Sequence, residues 1–291
     1  MQIENLKITC TDGVQLAARL VLPEGKPKAV VQINSATATP KEYYANFANY
    51  LAENEYAVCY FDYRGICESQ PKGGLKNCDY EYLDWPLKDM PAVIDYLDER
   101  FPTLPKLLMG HSVGGQKVGH IPNINKLKGM VTFATSSGFW GAMPWSYRIQ
   151  LHFFFEIVRP ITNFLFGYTA TKRFGIMEDI PQKITNVWRD WCSVPNYFFD
   201  EKFWGKSVPK GCYDALPIPV KVFWASDDVI SNKVNLEAFW KHVRSQHYIE
   251  FEELDPKAFG LKSIGHFGVF RKSFKTTLWP LMLRDLNKML L

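Results

Sequence analysis

A serine stands between glycines in Gly110-His111-Ser112-Val113-Gly114-Gly115, directly after a short apolar run and at the head of a stretch with helical character. Set between a strand and a helix, a G-x-S-x-G string forces its middle residue into a strained turn. The glycines remove side chains that would collide there. The Ser112 hydroxyl would then project at the carboxyl edge of a sheet. The string alone is weak, because three residues at fixed spacing recur by chance in roughly one chain in ten of this length. A serine hydroxyl is also a poor nucleophile, so the reading requires a base and a group that orients the base.

Six histidines compete for the part of base. His111 and His120 sit beside the serine and its helix, His152 lies in an aromatic segment, and His242 and His247 flank a late helix and strand. His266 differs. It follows the last expected strand in Ile264-Gly265-His266-Phe267-Gly268, where flanking glycines let the backbone bring an imidazole over the sheet edge. The orienting acid is expected from Ala225-Ser226-Asp227-Asp228, right after an apolar strand, in the chain order Ser, Asp, His. An aspartate in that position is ordinarily a turn or cap residue; Asp228 is the preferred candidate and Asp227 the reserve. Two backbone donors are needed for the developing oxyanion: the N–H of Val113, and one from the loop after Ile33, either Ala36 or Thr37. Asp62 and Arg64, a charged pair after a buried run, read as a loop brace.

Those residues need a scaffold, and the hydrophobic pattern supplies one. Asn5 to Cys10 and Gln15 to Leu22 bracket Thr11-Asp12-Gly13 as a hairpin. Ala29 to Ile33 and Tyr56 to Phe61 are largely apolar on both faces, and Lys106 to Met109, Gly129 to Ala134 and Val220 to Trp224 read as further strands, as in a buried parallel sheet. Helices are expected over Lys41 to Glu53, Leu83 to Phe101, from Val113, over Asn232 to Arg244, and from Gly268 to Leu290 with a kink at Pro280. An alternating strand runs from His247 to Leu254. Strands alternating with helices place the chain in the α/β class. From Phe139 to Trp204, 66 residues hold 18 aromatics, about a quarter of the segment against 15% for the whole chain, more rings than a solvated loop can carry. Three parts follow: an α/β core over 1–135, a helical cap over 136–210, and a return to the core over 211–291.

Composition narrows the function. With 34 Lys and Arg against 30 Asp and Glu, the chain has no charge surplus for a nucleic-acid face. The apolar stretch Leu151 to Tyr168 is interrupted by Glu156, Arg159 and Pro160 and is too broken to span a bilayer, so no stable membrane insertion is expected. Met1 to Cys10 lacks the apolar core of a secretory signal, and the expectation is a cytoplasmic protein. The six cysteines form no C-x-x-C pair and read as reduced thiols. Gly110 and Gly115 have the spacing of a phosphate-binding loop, but Gln116 stands where that loop needs lysine. No metal-ligand spacing appears, and no cofactor is expected.

The Ser112 string, Phe61-Asp62-Tyr63-Arg64-Gly65-Ile66-Cys67-Glu68-Ser69, Ala225-Ser226-Asp227-Asp228 and Gly265-His266-Phe267-Gly268 together resemble the α/β-hydrolase superfamily, and more narrowly its uncharacterised bacterial predicted hydrolases. The resemblance extends over nearly the whole chain outside the cap. It implies an eight-stranded, mostly parallel sheet flanked by helices, an inserted helical lid, and a Ser112, Asp228, His266 triad. In that family the acid lies three residues after the position of Ala225, which selects Asp228. The chain departs from the family in two places: Asn34-Ser35 replaces His-Gly after the third strand, and Cys67 replaces a glycine. Epoxide hydrolases and haloalkane dehalogenases on this fold carry aspartate where Ser112 stands. The expectation is therefore a serine hydrolase that cleaves a small-molecule carboxylic ester or thioester through an acyl-enzyme on Ser112, with the aromatic cap accepting an apolar acyl or aryl group. The alternative is a catalytically idle scaffold of the same fold that holds an apolar ligand under the cap.

Overall fold

The computed structural model describes residues 1–291. The hairpin β1 (Gln2–Thr9) and β2 (Gln15–Leu22) leads into β3 (Ala29–Asn34), α1 (Ala45–Glu53) and β4 (Tyr56–Phe61). Next come α2 (Met90–Arg100), β5 (Lys106–His111), the single turn α3 (Val113–Gln116) and β6 (Gly129–Phe133). A long inserted segment then holds α4 (Trp145–Phe153), α5 (Arg159–Phe166), β7 (Tyr168–Thr169), β8 (Ile180–Pro181) and α6 (Gln182–Cys192). The chain closes with β9 (Val220–Ala225), α7 (Lys233–Trp240), β10 (Ile249–Leu254) and α8 (Trp279–Lys288).

Eight strands form one sheet in the order β1-β2-β4-β3-β5-β6-β9-β10. The β1–β2 and β2–β4 pairs are antiparallel and every other pair is parallel. The expected eight-stranded, mostly parallel sheet flanked by helices is therefore the observed one. Every residue of β3, β4, β5, β6 and β9 is buried, since helices cover both faces of the parallel part. Phe47 and Leu51 of α1 pack with Trp279 and Met282 of α8 on one face. Val93 and Leu97 of α2, Phe239 of α7 and the rings of the inserted segment cover the other. Parallel pairing sends the ends of β3, β5, β9 and β10 to one edge, where ligand-binding crevices of such sheets form.

Several elements differ from the sequence pattern. The helix read from Leu83 begins as a π turn over Trp85–Asp89, because Pro91 has no N–H to offer the carbonyl one turn back, and the helix widens just before it. The helix after Ser112 is one turn long, followed by a 3-10 turn at Val118–His120. A Cβ at Gly119 would meet the Tyr213 ring, so that residue packs by being small. The expected long terminal helix is two 3-10 turns, Gly268–Phe270 and Lys272–Phe274, followed by α8. Pro280 lies in the first turn of α8, where its missing N–H does no harm, so it starts the helix and does not kink it. The inserted segment, read from the sequence as a helical cap, also holds the antiparallel β7–β8 pair.

Asp62 and Arg64 do not pair with each other. Asp62 accepts from the Lys41 ammonium at 3.0 Å and from the Lys41 N–H at 2.7 Å. Arg64 binds Asp89 through its Nε at 2.6 Å and reaches Asp12 of the β1–β2 turn at 2.7 Å. It does brace loops, but with other carboxylates than its neighbour's. The cysteines are all free thiols. No helix is long and apolar enough to cross a membrane.

Candidate active site

β5 ends in a tight turn at Ser112. Ser112 has φ 51° and ψ −115°, outside the regions open to ordinary L-residues, and it is held there on both sides. Its N–H donates to the Phe133 carbonyl at 2.9 Å, while its own carbonyl accepts from Gly115 at 3.0 Å and Gln116 at 3.1 Å. A Cβ on Gly110 would come within 2.7 Å of the Gly115 Cα, so strand and helix meet with no room for side chains.

The structure brings Ser112, His266 and Asp228 together. Ser112 Oγ lies 3.1 Å from His266 Nε2, and His266 Nδ1 lies 2.7 Å from Asp228 Oδ2. A carboxylate only accepts, so Nδ1 carries the ring proton and Nε2 is left to accept from the serine. Asp228 is buried, and its other oxygen accepts from the N–H groups of Ile230 at 2.8 Å and Ser231 at 2.9 Å. Burial works to raise its pKa, but the opposing charge of His266, their hydrogen bond and the two backbone donors together hold it below the usual carboxylate range. None of the other histidines bonds Ser112. His120 donates to the Pro209 carbonyl, and His242 stacks on Phe199 at 4.7 Å.

Asp227, the reserve acid, does something else. Its two oxygens accept the N–H groups of Ile264 and Gly265, each at 2.9 Å, which ties down the loop that carries His266. The adjacent carboxylates thus divide the work, one on the ring and one on the backbone before it.

Of the three backbone donors expected near the oxyanion, Ala36 is committed elsewhere: its N–H donates to the Tyr44 hydroxyl at 2.8 Å. The N–H groups of Val113 and Thr37 have no acceptor within the chain. Of the Ala36 and Thr37 N–H groups, only that of Thr37 is left free in the structure. Ala38, next in the loop, has φ 52°, and Cys67, where the resemblance leads one to expect glycine, has φ 44°. The glycine-like backbone is therefore kept at Cys67 despite the side chain.

Tyr44 and His111 belong to this region and were not legible as such. The Tyr44 hydroxyl lies 2.7 Å from His111 Nδ1, and His111 Nε2 lies 2.9 Å from the His266 carbonyl. A carbonyl only accepts, so Nε2 carries the proton, Tyr44 donates to Nδ1, and a relay runs from the His266 backbone to Ala36. The one hint in the sequence is a tyrosine at an apolar position of an expected helix; in the structure it is wholly buried, where an unpartnered hydroxyl would be costly.

Burial pushes the pKa of His111 down to about 3, helped by the charge of His266. His120 is pushed down to about 3, first by burial and then by Lys117. Both rings fold neutral yet take up protons near 6.5 once the chain unfolds. The stability they confer is complete above that value and is lost as pH falls from about 6.5 toward 3, as a depressed folded-state pKa requires. Calorimetric melts should therefore show a midpoint that drops steadily over that window. A midpoint flat from neutral pH to about 4 would contradict the buried neutral rings.

Ser112 and His266 face a cavity of about 480 Å³. Its far wall is the inserted segment, with Met143, Leu151, Phe154, Phe155, Trp188 and Cys192. Beyond it, Lys117 is wholly buried with its Nζ 3.8 Å from the Trp191 ring and 4.0 Å from that of Tyr82, and burial pushes its pKa well down. No group of His, Cys, Asp and Glu side chains has the arrangement to hold a metal ion.

Comparison with known proteins agrees with this architecture. A family model described as serine aminopeptidase, S33, matches residues 25–166, which include Ser112. No curated protein matches the chain. Among solved structures, a monoglyceride lipase from Saccharomyces cerevisiae, a soluble variant with a substrate analogue, aligns over 99% of this chain and 94% of its own, with a TM-score of 0.66 at 15% identity. A thermostable carboxyl esterase from Bacillus coagulans with bound glycerol aligns over 100% of both chains, at a TM-score of 0.63 and 16% identity. A serine hydrolase without a lid from Xanthomonas campestris aligns over 99% of this chain and 95% of its own, at a TM-score of 0.58 and 12% identity.

Proposed function

We propose, from the premise that the chain belongs to the α/β-hydrolase superfamily, that it is a serine hydrolase cleaving a carboxylic ester or thioester with an apolar acyl or aryl group. The observation that carries this is the unbroken line from Ser112 Oγ through His266 to Asp228, at 3.1 and 2.7 Å, opening on an apolar cavity. His266 Nε2 takes the proton of Ser112 as Oγ attacks the carbonyl carbon. Negative charge moves onto the carbonyl oxygen, where the N–H groups of Val113 and Thr37 receive it. Asp228 keeps the imidazole in the reactive tautomer and stabilises it while charged. Collapse breaks the bond to the leaving alcohol or thiol, which receives the proton from His266. Water then attacks the acyl-serine with His266 again as base, releasing the acid and restoring Ser112.

Under this reading residues 136–210 are the cap, and its rings define the acyl site. The cavity floor carries Ser112 and His266, and the cap side is predominantly apolar, so chain length is discriminated weakly and a charged acyl group is rejected. The test is a fluorophosphonate probe, with the labelled peptide identified by mass, beside a panel of esters and thioesters from acetyl to dodecanoyl. Labelling confined to Ser112 and turnover of medium-length acyl groups are expected. A folded protein that neither labels nor turns over any member would instead be the idle, ligand-holding scaffold.

A further inference from the structure

The apolar stretch that is too broken to span a bilayer folds into a nearly continuous helix, α4 and α5 joined by a π turn over Phe154–Val158. It has two apolar faces. Phe154 and Phe155 point inward and line the cavity with Leu151. On the outside, Trp145, Ile149, Phe153, Ile157, Ile161 and Phe164 are 71, 50, 59, 46, 52 and 89% exposed. A spacing of four drifts around an α-helix, and the wider π turn in the middle takes back part of that drift, so the ridge stays together. Twenty-two residues at 1.5 Å rise make it roughly 33 Å long. Phe174, 59% exposed, extends the apolar surface beyond the helix. Isolated exposed apolar residues are ordinary, but a ridge of this extent marks a surface that is covered in use.

The charges beside the ridge say what covers it. Arg148 lies 5.8 Å over the Trp145 ring and Arg173 4.0 Å over that of Phe166, at the two ends of the helix. Arg159, between them, is held by Asn186 and the Phe155 carbonyl. None of these three arginines has a carboxylate partner, whereas the helix's only acid, Glu156, is taken by Arg189 at 2.8 Å. A second copy docked on the same ridge by two-fold symmetry would set arginines against arginines, with no free carboxylate to meet them. An anionic headgroup layer above an acyl region satisfies both the two end arginines, Arg148 and Arg173, and the rings.

We propose that this outer face of α4 and α5 docks on an anionic phospholipid surface, the helix lying in the interface plane while its inner face lines the cavity. Docking needs neither Ser112 nor turnover, so it stands apart from the hydrolytic reading. The experiment is sedimentation with vesicles of equimolar phosphatidylcholine and phosphatidylglycerol, beside vesicles of phosphatidylcholine alone. Wild type and Ser112→Ala should bind the anionic vesicles equally, more weakly at high salt, and more weakly without phosphatidylglycerol. Phe164→Glu combined with Trp145→Glu should lower partitioning about tenfold or more, while hydrolysis of any water-soluble short ester that wild type cleaves stays unchanged. Absence of vesicle binding by wild type overturns the proposal. So does a dimer, seen by analytical ultracentrifugation, that the same double variant dissociates without any vesicle binding by wild type, because the ridge would then belong to a second copy.

Discussion

Ser112→Ala is expected to lower turnover of every ester or thioester the wild type cleaves by about 10⁴- to 10⁶-fold, with far-UV and near-UV circular dichroism unchanged. Under the proposed mechanism the loss is this large because Ser112, His266 and Asp228 would act as a unit; without Oγ only cavity binding and the proposed Val113 and Thr37 donors would remain. The fold should survive, because the Ser112 main chain is fixed by its bonds to Phe133, Gly115 and Gln116, none of which involves the hydroxyl. Alanine inherits the backbone at φ 51°. Glycine would not, so Ser112→Gly should be equally inactive yet more stable than Ser112→Ala by about 1 kcal/mol in denaturant titrations. Turnover within tenfold of wild type in either variant would remove Ser112 from the chemistry.

The sheet was largely legible because buried parallel strands leave a plain mark. Ala29 to Ile33 and Val220 to Trp224 each hold a single polar residue, Gln32 and Lys221, among apolar ones without a polar-apolar alternation, and both became strands covered on two faces. Helices were legible in kind but not in extent. Prolines and small residues, and not hydrophobic period, decide where Trp85–Asp89 widens and why the run from Gly268 breaks before Trp279. The β7 and β8 strands are two residues each, too short for any period to show.

For the site, residue types and chain order pointed to Ser112, Asp228 and His266, and the fold sets them side by side. Tyr44 and the backbone clamp by Asp227 could not be read, because each acts through a main-chain group 8 or 37 residues away whose position only the fold defines. The same reason left Ala36 and Thr37 undecided: which N–H is free depends on where one tyrosine hydroxyl ends up.

Gly114→Ala should have the second large effect, through packing alone. A Cβ on Gly114 would lie 2.6 Å from the Asn34 carbonyl carbon and closer still to its oxygen, both of them backbone atoms at the end of β3. No rotamer change relieves such a clash, so either α3 or the Asn34–Thr39 loop must move. That loop carries Thr37 and α3 begins at Val113, so the two N–H groups proposed as oxyanion donors are the groups displaced. The expected result is a loss of about 3 kcal/mol in unfolding free energy, with kcat falling by about 10²-fold in the folded fraction, on the scale of a lost oxyanion donor. Gly115→Ala is the informative contrast. Its Cβ would meet the hydroxyls of Thr132 and Thr135, which are side-chain atoms, so the variant should lose less stability and keep more of its turnover. Equal effects from the two substitutions would mean that contact between Gly114 and the Asn34 backbone does not set the spacing of the two donors.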